Sequence, residues 1–250
     1  MSVLAPAQVR LRRIAGVSVT LALLTIGAAL ALSVMSLTDT PNPLTASLVM
    51  ATAFLIGVQG IRTDCGWNAA MRCAGPTSVD APTLVAHTGG VILGSLATAV
   101  AVWGLGQFVS IPAMVVAGAC LLLGTLRLFR PNTLAPWGWK VRRQWESWGT
   151  VPYMLVFGFC IGLGFLTTMA SPVFLALMLY GTSSSLAVVC MTFAWFAVGR
   201  LVTTWVVAIG DSRTGADVTR SADRVQRRTR YVGILEAAAA VVAGASMLVA

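Results

Sequence analysis

Three hydroxyl residues, Thr167, Thr168 and Ser171, stand with Pro172 near the middle of an uncharged run, Val151 to Gly181. Pro172 removes a backbone donor and drives Ser171 away from helical dihedrals. Backbone freed at membrane depth is tolerated only where neighbouring helices or a water-filled cavity satisfy it. The run therefore reads as a discontinuous helix whose break lines a substrate or gating site, with an ordinary proline kink as the other reading. Arg200 and Glu236 lie inside apolar runs, where a charge costs about 2.5 to 3.5 kcal/mol. A rise of about 1.5 Å per residue puts both roughly 8 to 12 Å inside the same boundary. They form a charge pair that a substrate or proton opens, or else Arg200 snorkels outward and Glu236 caps the first turn of its helix. Cys65 and Cys73, in a polar stretch, are the thiol candidates.

Catalytic and metal constellations are missing from the pattern. There is no Gly-rich phosphate loop and no nucleophile elbow. His87 is the single histidine, and no two of the five cysteines have CxxC spacing. No catalytic residue, cofactor or metal is expected, and no enzymatic activity is assigned.

The elements that must hold these residues are membrane helices. The chain is 57% hydrophobic and 10% charged, whereas soluble domains carry nearer a quarter of charged residues. The expected fold is all-α and polytopic, with seven spans: 14–37, 45–61, 85–108, 113–128, the broken 151–181, 185–208 and 231–250. Four segments follow: 1–43 with the first helix, a three-helix unit over 44–128, a linker over 129–150 and a second three-helix unit over 151–250. The stretch 62–84 reads as a functional mouth or a solvated loop, and 209–230, with six arginines, as a solvated loop. Trp137, Val141, Trp145 and Trp148 recur at helical spacing in 127–150, as an amphipathic helix lying in the interface would have them. Gly90 with Gly94, and Gly158 with Gly162, let helices approach closely.

The net charge of +9 does not point to nucleic acid, because the basic residues sit between apolar runs. With the N-terminus inside, the Lys and Arg of the connections all fall on the cytoplasmic side, as the positive-inside rule requires. The chain is placed in the cell membrane with its C-terminus outside and the lipid bilayer as its first partner. Of seventeen basic residues only Lys140 is lysine, the usage of a GC-rich bacterial genome.

Thr52 to Ile61, TAFLIGVQGI, and Val156 to Phe165, VFGFCIGLGF, are each followed by a polar break, so the chain reads as a three-plus-three inverted repeat behind an extra helix. The stretch GLGFLTTMASPVFLALMLYGTSSSLAVVCMTFAWFAVGR, together with FLIGVQGIRTDC, resembles the membrane thiol-disulfide carriers of the DsbD/CcdA type. The resemblance implies an inverted repeat whose first helices carry a cysteine beside a proline and pass electrons to partners. It would set Cys65 at the first cysteine and Ser171-Pro172 at the second, where serine cannot form a disulfide. Three functions follow: a small transporter with its site at the broken helix, a thiol-redox carrier, or a non-catalytic subunit whose partners are other membrane subunits.

Overall fold

Asn42 and Asp80 open two helices by the same device. Each side chain accepts a hydrogen bond from the backbone N–H three residues on, Thr45 at 3.1 Å and Thr83 at 3.3 Å, and a proline sits in each first turn. The computed structural model describes residues 42–74, 80–130, 143–166, 171–210 and 215–249. Within them run α1 (Pro43–Val58), a 3-10 turn (Gln59–Arg62), α2 (Asp64–Ala74), α3 (Ala81–Gly106), α4 (Ala113–Phe129), a second 3-10 turn (Arg143–Trp148), α5 (Thr150–Gly162), α6 (Val173–Thr182), α7 (Leu186–Gly210) and α8 (Gly215–Val249). Among the described residues the all-α expectation holds. The first expected span, 14–37, lies outside the described residues.

Four stretches are long and apolar enough to cross a bilayer: Pro43–Arg62, Ala81–Gly106, Leu186–Ala208 and Tyr231–Val249. The fourth expected span is the shorter helix α4, and the fifth is divided into α5 and α6.

Three expected connections are corrected. Residues 64–74, expected within a mouth or solvated loop, form α2, whose Gly66, Ala69, Ala70, Cys73 and Ala74 pack inward while Asp64 and Asn68 stay exposed. Small residues spaced three and four apart give this polar stretch one buriable face. The segment 215–230 is helix, continuous with the last span, because no proline or internal glycine interrupts it. The expected interfacial helix is described only from Arg143 onward. It is a short 3-10 turn there, with the Trp145 and Trp148 rings stacked at 5.7 Å; Trp137 and Val141 lie outside the described residues.

Apolar and polar surfaces are distributed in the reverse of the soluble pattern. Leu93, Val100, Met114, Leu122, Leu235 and Val242 face outward, while Gln59, Thr98, Arg127, Ser171, Arg200 and Glu236 are buried. Such an exterior is compatible with lipid.

The helices cross in matched pairs. In the first crossing, α1 meets α7 at Gly57 and Gly199, and a Cβ on either would strike the other helix's backbone. In the second, α3 meets α5 at Gly90, Gly94, Gly158 and Gly162, so the two GxxxG pairs noted in the sequence face one another. The third brings α4 against α8 at Gly124 and Gly244. Close backbone approach is what these glycines provide, since lipid gives no hydrophobic drive for helices to associate.

Candidate functional site

Both breaks in the helical framework are closed by hydroxyl groups. At the first, α1 tightens into the 3-10 turn at Gln59, and Thr63 turns the chain into α2. The Thr63 hydroxyl donates to the Gly60 carbonyl at 2.7 Å and accepts from the Gly66 N–H at 3.1 Å. At the second, α5 stops at Gly162 and Gly164 adopts φ +70°, a left-handed turn that costs glycine least. The carbonyls left over at that helix end find partners on α3: Ser95 donates to Gly162 at 3.2 Å and Thr98 to Leu163 at 3.1 Å. The chain resumes at Ser171, whose hydroxyl accepts from the Val173 N–H at 3.2 Å and so starts α6.

Both breaks lead to the same carboxylate. Gln59, from the first, donates through its amide nitrogen to Glu236 Oε2, and Ser171, from the second, donates to Glu236 Oε1. Arg127, in the last turn of α4, donates to the Gln59 amide oxygen and lies 3.6 Å through Nε from Glu236 Oε2. Glu236 and Gln59 are 0% exposed and Arg127 is 1% exposed. A carboxylate moved out of water costs several kcal/mol unless it is paired and its lone pairs are occupied. Here two neutral donors, a guanidinium and the positive end of α6 supply that compensation.

A second buried charge stands apart. Arg200, on α7, is 4% exposed; its guanidinium crosses Gly60 and sits 5.3 Å from the centre of the Phe196 ring. Its Nε and Nη1 are buried and have no hydrogen-bond partner among the described residues. His87, 1% exposed on the second turn of α3, likewise keeps a buried Nδ1 without one. Cys65 is close enough to interact electrostatically with Arg200 and with Cys160.

Of the residues singled out from the sequence, Ser171 and Glu236 come together, and Pro172 stands beside them at the start of α6. The charge pair forms with a different partner: Arg127, not Arg200, lies beside Glu236. Glu236 is not a first-turn cap either, because α8 begins at Gly215. Arg200 is enclosed and does not snorkel. Thr167 and Thr168 lie outside the described residues. The thiol candidates part company: Cys65 is half-buried at the start of α2, while Cys73 is fully buried near its end. Burial, and next the charge of Asp80, push the Cys73 thiol up to about 12. No disulfide joins the five cysteines.

Arg127 and Gln59 were not singled out. Arg127 falls where an apolar run ends, the usual place for a basic residue that faces the cytoplasm. Its signal is the company it keeps, with Leu126 before it and Leu128 and Phe129 after. Gln59 is the only polar side chain in TAFLIGVQGI after Thr52, and an amide isolated in this way inside a span seeks a partner. The chain matches no protein-family model, and neither a curated protein nor a solved structure shows significant similarity to it.

Proposed function

We propose that the chain is a small multi-pass transporter of the cell membrane, and that the Gln59–Arg127–Ser171–Glu236 cluster is its moving centre. One observation carries the reading: the breaks of two separate helices reach the same buried carboxylate, which is ion-paired to a third helix. Displacing either broken segment takes Gln59 or Ser171 from Glu236. The carboxylate then needs another donor, and an incoming proton or a polar group of the solute supplies it. Ionisable groups inside a bundle commonly serve such relays.

Support for a three-plus-three inverted repeat comes from the crossings. With α1, α3 and α4 as one unit and α5/α6, α7 and α8 as the other, the first helix of each unit crosses the second helix of the other. Third crosses third. Inverted repeats with broken helices place their sites where the units meet, and the cluster draws on both. The N-terminus is assigned inside and the C-terminus outside on the distribution of Lys and Arg.

Accessibility of position 171 tests the proposal. A single cysteine placed there, in a background with the five native cysteines replaced, is exposed to an impermeant maleimide in right-side-out and inside-out vesicles. The transporter reading expects modification from one face, moving to the other face when Glu236→Gln is added. Modification from one face only in both backgrounds would instead support a fixed membrane subunit. The thiol-carrier reading, which rests on the resemblance to the DsbD/CcdA type, requires Cys65; a Cys65→Ser chain that keeps its activity sinks it.

A further inference from the structure

Arg200 presents an energetic problem that the Glu236 cluster does not. A guanidinium withdrawn from water costs several kcal/mol unless something compensates it. The compensation visible here is one aromatic face, worth about 2 kcal/mol when desolvated. The ion pairs Arg72 with Glu146 and Arg127 with Glu236 involve other arginines. Cys65 is another group close enough to interact with the Arg200 charge.

The surroundings hold the guanidinium in place. Gly60 leaves room for it, since a Cβ there would overlap Nη1 and lie 2.6 Å from Cδ. Gly57 and Gly199 bring α1 and α7 together one turn away. The Trp205 indole N–H donates to Thr88 at 3.1 Å, tying α7 to α3 just beyond His87. Close enough to feel the Arg200 charge, the His87 ring keeps a second buried nitrogen without a hydrogen-bond partner, Nδ1, which lies against Gly158 of α5. Two polar side chains, from two helices and each more than nine-tenths buried, thus keep nitrogens without hydrogen-bond partners in one neighbourhood.

We propose that Arg200 and His87 form a binding site for a small solute bearing a single carboxylate. The guanidinium fork matches the planar geometry of a carboxylate, and His87 in its Nδ1–H tautomer adds a donor. The one fixed positive charge of Arg200 is balanced by a monoanion. A dianion such as sulfate would leave a net charge buried. As a substrate site this rests on the transporter reading; as a binding site it does not.

The test uses the full chain purified in a mild detergent, with its melting followed by tryptophan fluorescence. Sodium acetate and sodium benzoate are titrated against sodium chloride at constant ionic strength. The expected result is a saturable rise in melting temperature for the wild type and for Arg72→Ala. Arg200→Gln should weaken the apparent affinity about tenfold or more, the loss expected for a charge-assisted hydrogen bond. Gly60→Ala keeps the charge but pushes a methyl group into the guanidinium's place, so it should weaken binding too, and it serves where Arg200→Gln does not fold. The proposal is overturned if neither carboxylate gives a saturable response in the wild type. An unchanged response in Arg200→Gln or Gly60→Ala overturns it as well, as does a response to sulfate equal to that for acetate. Maleimide access at position 171 is read without these probes, so the transporter reading and the carboxylate site can each fail alone.

Discussion

Glu236 and Arg200 are both buried charges, on the last two helices of the chain, yet their surroundings are opposite. Glu236 meets Gln59, Ser171 and Arg127. Arg200 meets a ring face and a glycine, with two nitrogens left over. A buried charge with a donor on each oxygen and an ion partner is part of the framework until something moves it. One with valences to spare is held at a cost for a partner that is not part of the framework.

Substitution costs most at the closed cluster. Glu236→Ala leaves Arg127 enclosed without its carboxylate and should lower unfolding stability by about 3 to 5 kcal/mol in mixed micelles. Adding Arg127→Met should recover much of the loss, since an apolar pair can replace a buried ionic one. A double variant as unstable as the single would remove the ion pair as the cause. Ser171→Ala, which takes away one charge-assisted hydrogen bond and the start of α6, should cost about 1.5 to 3 kcal/mol in the same assay.

Arg200→Met should change stability in the other direction, from neutral to about 2 kcal/mol more stable, because it removes an uncompensated charge. A loss comparable to that of Glu236→Ala would mean that Arg200 is satisfied after all.

Cys73 supplies the pH-dependent case. Its thiol ionises near 9.0 when unfolded and is held up to about 12 in the folded chain. Its contribution is therefore fully present below pH 9 and is lost as pH rises through the window from 9 to 12. At pH 10 the loss is about 1.4 kcal/mol. Cys73→Ala should flatten that part of the stability profile, and an unchanged slope would place the titration elsewhere. The smallest effect belongs to Arg72 and Glu146, paired at 2.6 Å with side chains 40% and 39% exposed. Arg72→Ala should cost under about 1 kcal/mol, and less in high salt.

Much of the framework was legible because lipid demands long apolar runs, and such runs are visible one residue at a time. The same holds for Ser171, Pro172 and Glu236, each conspicuous in its local company. Arg127 was not, since a basic residue at the end of an apolar helix looks alike whether it faces water or turns inward to a carboxylate 109 positions away. That choice is made by the crossing of α4 with α8. The helical state of 215–230 was hidden for a related reason: a charged segment without an apolar stripe gives no periodic signal. Its helicity is continuous with that of the apolar segment that follows.

That continuity has a mechanical consequence. α8 is 35 residues in one piece, or about 52 Å at about 1.5 Å per residue, and Glu236 sits at its inner end of the charged portion, about 30 Å from Gly215. An unbroken helix behaves as a stiff rod. A slight tilt at Glu236, such as a change of partner there would produce, swings the far end through several ångströms. A spectroscopic label near residue 215 would therefore report on a displacement at Glu236.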